Sequence, residues 1–275
     1  MRRADVLREL GLAPVWRLRS QPASQASASA ITTDSAATAV VPSASRAITT
    51  DSPATAAVPS ASRATDAMPL SAETFELRRA RISTLDHEAL VADIAHCTAC
   101  ALAGTRNRTV PGVGDIRAQW MFVGEAPGAD EDARGEPFVG LAGQLLDNML
   151  AALGLTRTEN VYIANVLKCR PPNNRAPEPI EAQACGAYLD RQIDLISPRL
   201  IVALGKSAAC QLLGMEASVA SLRNRIHRYR DTPLVVTYHP AYLLRNPIDK
   251  ARAWEDLLFA RRLLREQAGG ANVPR

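Results

Sequence analysis

The chain has 275 residues, enough for one large domain or two ordinary ones. Its 47% hydrophobic and 22% charged residues make a soluble globular mixture, and no stretch approaches the ~18 to 20 uninterrupted apolar residues of a membrane span, which excludes a transmembrane protein. The formal charge of +4 hints at an anionic partner, but residues 72–275 carry 25 basic against 23 acidic side chains, so local clusters rather than bulk charge must identify it.

The first twenty residues contain early arginines, but Arg8, Glu9, Arg17 and Arg19 interrupt any apolar run of secretory-signal length. A reducing, cytoplasmic setting is the expectation. Val6, Leu10 and Val15 or Trp16 stand near helical spacing, which predicts a short helical head over residues 1–20. Such a head docks on the core or serves as a detachable peptide for another protein or for DNA. Residues 21–71 are almost entirely Ala, Ser, Thr, Val and Pro, and they repeat: AITTDSAATAVVPSASR at Ala30–Arg46 is followed by AITTDSPATAAVPSASR at Ala47–Arg63. Without aromatic residues this stretch has too little to bury, and a disordered tether is expected.

From Ala72 the pattern becomes regular. It predicts a helix around Ile82–Ala95, a strand at Trp120–Val123 and a helix whose buried face carries Leu145, Leu146, Met149, Leu150 and Leu153. A strand at Val161–Val166 leads through a Pro-rich loop to a helix near Glu178–Ile196. A strand at Leu200–Leu204 runs into a helix at Lys206–Leu213, and a fourth at Leu234–Tyr238 precedes a helix at Lys250–Leu264. Alternating strands and helices predict an α/β domain over residues 72–275: three layers, α/β/α, around a central parallel four-stranded sheet.

Gly124 and Glu125, Asn165, Gly205 and His239 each fall at or just past the carboxyl end of a predicted strand, where open α/β sheets bind ligands. The loop from Gly124 is rich in Gly and Pro, yet the chain has neither a Walker pattern nor a Gly-x-Gly-x-x-Gly fingerprint, which disfavours nucleotide hydrolysis and dinucleotide redox chemistry. Five cysteines, an odd number, do not make a secreted disulfide framework. Cys97 and Cys100, with Cys169 and Cys185, supply four soft ligands suited to zinc or an iron–sulfur cluster, while Cys210 reads as a packing residue. After the last strand, HPAYLLRNP places two adjacent leucines in a loop between prolines, an odd placement unless they insert into something such as a DNA base stack.

Taken together, GEAPGADED with PFVGLAGQLLD, NVLKCRPPNNR, the four-cysteine spacing, LIVALG and HPAYLLRNP resemble the family 4 uracil-DNA glycosylases, an iron–sulfur branch of that superfamily. The resemblance covers roughly Ala80–Leu264 and leaves out the head and tether. It implies hydrolysis of the bond joining uracil to deoxyribose in DNA, with uracil rotated out of the stack. It implies that Phe138 stacks on the flipped base beside Gly124, and that Asn165 reads the hydrogen-bonding edge. Glu125 would orient the attacking water and stabilise charge on the sugar, and His239 would lie near uracil O2. Leu243 or Leu244 would fill the vacated stack, with Arg245 beside them. The same resemblance implies a structural 4Fe-4S cluster on Cys97, Cys100, Cys169 and Cys185. Arg223 and Arg225, in a basic segment before the fourth strand, are candidates for phosphate contact.

Arg225-Ile226-His227 is similar to the RIH of a subfamily that captures uracil covalently, but there the histidine follows the second-strand motif. Residues 168–179 contain none, so covalent capture is not expected. The expected partner is uracil-containing DNA, single- or double-stranded, acted on by a monomer, with a repair or replication protein as the candidate partner of the head. The rival readings are a non-catalytic DNA-binding or redox-sensing module, and a hydrolase of free nucleosides.

Overall fold

A computed structural model describes residues 74–270. The head and the tether expected over residues 1–71 lie outside these residues. Six strands form one sheet: β1 (Val113–Gly114), β2 (Trp120–Gly124), β3 (Val161–Asn165), β4 (Leu200–Leu204), β5 (His227–Tyr229) and β6 (Thr232–Thr237). Their order is β1-β3-β2-β4-β6-β5, in which the four central strands are parallel and the two edge strands are antiparallel. The parallel core matches the expected four strands. The edges escaped sequence reading because two or three residues are too short to show an alternating pattern.

β2, β3 and β4 are buried along their whole length, which explains why they read as continuous apolar runs. Alternate side chains still serve different layers. Trp120 and Phe122 of β2 pack with Leu146 and Leu150 of α4 (Leu141–Ala152) and with Leu257 and Ala260 of α9 (Lys250–Gly270). Met121 and Val123 face the opposite layer, which includes α1 (Phe75–Ile82), α2 (His87–Ala95), α5 (Pro179–Ile196) and α6 (Lys206–Leu213). The result is the expected three-layer α/β/α stack.

Three helices differ from expectation. The helix expected over Ile82–Ala95 is two, because the Asp86 side chain accepts the Ala89 N–H at 2.8 Å and starts α2 afresh. α3 (Ala129–Arg134) turns the Gly-rich loop back on itself and ends at Gly135, whose φ of 82° suits the left-handed cap. The segment read as a loop between prolines is α8 (Pro240–Arg245). Pro240 occupies its first turn, where no N–H is missed, and His239 caps it. A further short helix, α7 (Val219–Leu222), precedes β5.

β2 pairs with β3 on one side and β4 on the other, so the chain leaves the carboxyl end of β2 toward one neighbour and returns on the far side. That reversal opens a crevice at the strand ends, into which Gly124, Asn165, Gly205 and His239 are delivered.

Candidate active site

A cleft of about 430 Å³ opens at this point, and its walls include Glu125, Phe138, Asn165, His239, Tyr242 and Arg245. The backbone of its floor is tied down, since Val166 and Leu167 N–H groups donate to the carbonyls of Gly124 and Glu125 at 2.9 and 3.1 Å.

Gly124 is required by what surrounds it. A Cβ there would lie 2.4 Å from Asn165 Oδ1 and 2.6 Å from Phe138 Cζ. The missing side chain lets ring and amide converge. Phe138 itself sits at a φ of 55°, unusual for an aromatic residue. Two restraints hold it there: Arg157 donates to the carbonyls of Pro137 and Phe138 at 2.8 and 2.7 Å, and the Phe138 carbonyl occupies the space that a side chain at residue 143 would need. Its ring lies 5.5 Å from the His239 ring, tilted by 32°.

Asn165 is 2% exposed, and its Oδ1 has no hydrogen-bond partner. A buried amide oxygen left unpaired costs about 1 to 3 kcal/mol, so the fold holds an acceptor ready for a donor from outside the chain.

His239 is fixed in one tautomer. Its Nδ1 accepts the Ala241 N–H at 3.1 Å, which leaves the proton on Nε2. Burial, with Arg245 adding to it and Glu131 opposing, pulls its pKa down to about 4. The ring is therefore a neutral donor over the ordinary pH range. Gly205, at a φ of 92°, gives it room, because a Cβ at that position would be 2.9 Å from the His239 Cβ.

Sequence reasoning missed Glu131. Its Oε1 accepts the N–H groups of Val139 and Gly140 at 2.9 and 3.3 Å, and its Oε2 accepts that of Gly128 at 3.0 Å. One carboxylate thus joins the loop after Glu125 to the loop that carries Phe138. Three consecutive acidic residues, Asp130, Glu131 and Asp132, read only as a polar run, and nothing local marks which of them turns inward.

The two leucines separate cleanly. Leu243 is 1% exposed and packs with Tyr238 and Ala253, whereas Leu244 is 42% exposed. Helical geometry sends neighbours in different directions, so a core role falls to Leu243 and only Leu244 stands free to insert. Ile248, four residues further on and 89% exposed, is a second free apolar side chain that the sequence reading overlooked. Arg245 is exposed at the cleft.

The basic segment also divides. Arg223 donates from Nε to both oxygens of the buried Asp256 at 3.0 and 3.2 Å, and from an Nη to Glu255 at 3.1 Å. Asp256 also accepts from Thr237 at 2.9 Å. Arg223, just before β5, is a rivet onto α9 rather than a free phosphate ligand, which departs from the expectation. Arg225 is exposed, and His227 lies on the edge strand β5 with Nε2 2.8 Å from the Leu222 carbonyl oxygen.

All four cysteines of the expected ligand set, Cys97, Cys100, Cys169 and Cys185, line one small enclosed pocket between α2, the loop after β3, and α5. Arg78 donates to Cys97 Sγ and Arg106 to Cys169 Sγ, each at 3.4 Å, and the Lys168 N–H donates to Cys185 Sγ at 3.2 Å. Among the described residues no three His, Cys, Asp or Glu side chains close around a point as a single ion requires. Cys210 lies elsewhere, buried on α6 with its thiol 3.5 Å from the Ala217 carbonyl.

Residues 111–258 match the profile of the Uracil DNA glycosylase superfamily. The chain is 47% identical over 166 residues to a type-4 uracil-DNA glycosylase of Archaeoglobus fulgidus, covering 58% of this chain and 83% of that one. This chain belongs to the type-4 uracil-DNA glycosylases. It is likewise 43% identical over 178 residues to the type-4 enzyme of Thermotoga maritima, covering 63% of this chain and 92% of the relative. Similarity to the type-5 enzyme of Thermus thermophilus is lower, at 35% over 137 residues, covering 44% and 62%.

Proposed function

We propose that this uracil-DNA glycosylase hydrolyses the N-glycosidic bond of deoxyuridine flipped out of DNA, starting base excision. The observation that carries the reading is the unpaired Asn165 Oδ1 beside the Phe138 ring and the neutral His239. Uracil has an N–H donor between two carbonyl acceptors and a flat face, and the cleft offers an amide, a ring and an N–H donor to match.

In this account Phe138 stacks on the base and Asn165 pairs with its edge. As the bond from C1′ to N1 breaks, its electron pair passes into the uracil ring and charge gathers on O2. The Nε2–H of His239, already oriented, donates to that oxygen where the charge develops. Glu125 accepts a hydrogen bond from the attacking water and faces the positive charge on the sugar. The water oxygen bonds to C1′, its proton passes to Glu125 and on to solvent, the uracil anion takes up a proton from solvent, and an abasic site and free uracil remain. Leu244, with Ile248 behind it, fills the gap in the stack, and Arg245 and Arg225 meet phosphates.

The four-cysteine pocket fits a 4Fe-4S cluster by its chemistry. Four thiols converge from three separate chain segments, two guanidinium groups face them, and burial pushes the Cys185 thiol up to about 12, so that a thiolate there depends on a cationic partner. A cubane spreads its thiolates over four irons, a wider set than one ion gathers. Cys97, Cys100, Cys169 and Cys185 would hold the cluster, which supplies a rigid cross-link and no step of the hydrolysis. The glycosylase domain in this reading spans residues 72–275 and works as a monomer in the cytoplasm. Residues 1–20 are offered to a repair or replication partner on the tether of residues 21–71.

Incubation with a uracil-containing oligonucleotide followed by hot alkali tests the reading. Strand cleavage at the uracil position is expected. Folded, iron-loaded protein that leaves the strand intact would favour a binding module instead.

A further inference from the structure

Several arginines of the described domain are spent on carboxylates, among them Arg79 on Asp190, Arg157 on Asp147, Arg175 on Glu181, Arg223 on Asp256, Arg230 on Asp194 and Arg252 on Asp249. One group is not. Arg106, Arg108 and Arg134, with Asn107 and Thr109, line an open groove whose walls contain no acidic side chain. Arg108 and Arg134 are exposed, and neither forms an ion pair. Arg106 leans on Cys169 Sγ and the Ala95 carbonyl, not on an anion.

The groove is built, not incidental. Asp132, 1% exposed, accepts the backbone N–H groups of Asn107 and Arg108 at 2.9 and 3.3 Å and the Asn107 amide at 2.6 Å, which clamps one wall to α3. That carboxylate is buried beneath the groove with its lone pairs engaged, and the three guanidinium groups above it outnumber it. Gly135, in its left-handed turn, adjoins this wall, since a Cβ there would lie 3.5 Å from the Thr109 carbonyl oxygen. A hydrogen bond from the Val110 N–H to the Lys168 carbonyl, at 2.7 Å, pins the far end.

Its location indicates the occupant. α3 is capped by Gly128 and carries Glu131, both lining the cleft, and ends at Arg134 of the groove, and Arg134 precedes Phe138 by only four residues, a backbone reach of at most ~14 Å. That is a span of a few phosphates along a strand. A second basic surface, along α9, mixes Arg262 and Arg265 with Glu255 and Glu266 and is lined by no residue of the cleft.

We propose that the Arg106–Arg108–Arg134 groove is the track for the phosphates of the DNA strand flanking the extruded nucleotide, setting the affinity of the enzyme rather than its chemical rate. This rests on the glycosylase reading for the identity of the strand. The groove and the cleft can nevertheless be tested apart.

The test is the salt dependence of binding to a fluorescein-labelled single-stranded oligonucleotide with one central uracil, read by anisotropy, for the wild type, Arg108→Ala/Arg134→Ala, and Arg262→Ala/Arg265→Ala. Each lost phosphate contact should lower the slope of log K against log salt by about 0.7. The groove variant should therefore lose about 1.4 and bind at least tenfold more weakly at moderate salt, while its single-turnover rate at saturating enzyme stays within twofold of the wild type. The α9 variant removes the same charge and should change the slope by less than half as much. An unchanged slope in the groove variant, or an equal loss in the α9 variant, would overturn the proposal. Failure of the wild type to release uracil while the groove variant still loses its slope would sink the glycosylase reading and leave the groove standing.

Discussion

Replacing Gly124 with alanine tests how tightly the base-reading groups are set. The new Cβ would meet Asn165 Oδ1 at 2.4 Å and Phe138 Cζ and Cε2 at 2.6 and 2.8 Å, where ordinary contact begins at 3.4 Å. Amide and ring must therefore withdraw by up to ~1 Å, and both face the position proposed for the uracil. The β2 backbone cannot yield instead, because it is bonded to strands on both sides. A misplacement of this size costs about 10²-fold in rate, or ~3 kcal/mol in the barrier. Overpacking should also lower stability by about 1 to 3 kcal/mol. The assay is single-turnover release of uracil from a single-stranded oligonucleotide with enzyme in excess, run beside a thermal melt. Gly186→Ala is the control, since a Cβ on that residue of α5 meets nothing within 4 Å and should stabilise the helix by about 0.5 to 1 kcal/mol with no change in rate. A Gly124→Ala protein that is folded and excises uracil at the wild-type rate would refute the placement of Asn165 and Phe138 around the base.

The role of His239 gives a pH signature: with a pKa near 4 the ring contributes no titration between about pH 8 and 5, so its contribution to the single-turnover rate should change only as pH falls through about 4, where Nδ1 gains a proton and no longer accepts the Ala241 N–H that orients the ring. A limb near 6.5 that vanishes in His239→Gln would mean that the imidazole titrates as an exposed group. Leu243→Ala should cost ~2 to 5 kcal/mol of stability, as a buried leucine does. Leu244→Ala should leave the melt nearly unchanged and slow excision more for a paired uracil than for one in a single strand. Purified protein should be brown with about four irons per chain, and Cys169→Ser or Cys185→Ser should lower iron content while Cys210→Ala does not. One zinc in a colourless protein would overturn the cluster. Arg223→Ala should leave DNA affinity nearly intact and lower the melting temperature, because it strands the buried Asp256 carboxylate.

The central parallel strands were legible because short apolar runs alternating with amphipathic helices admit few other folds. The residues at their carboxyl ends were legible for the same reason: Gly124, Asn165 and His239 stand where the period breaks. What the sequence withheld were orientations. HPAYLLRNP contains both Leu243 and Leu244, and only the turn of α8, started by Pro240, assigns one to the core and the other to solvent. Arg223 and Arg225 look alike in the chain, and the difference is Asp256, thirty-three residues away. Glu131 and Asp132 are neighbours with separate tasks, one tying the loops of the cleft and the other clamping the arginine groove. Such long-range partners carry no local signal. The strand ends located the cleft and the family resemblance assigned its residues, but the groove had no motif to announce it.

The most direct test of the central claim is chromatographic measurement of free uracil released from a single-stranded oligonucleotide by the wild type, Asn165→Ala and His239→Ala under single-turnover conditions. The account predicts stoichiometric uracil from the wild type, no release of thymine or cytosine from matched strands, and a loss of about 10² to 10³ in rate for His239→Ala with DNA binding largely kept. Wild-type rates in both variants, or a folded, iron-loaded wild type that binds the strand and releases no base, would contradict it.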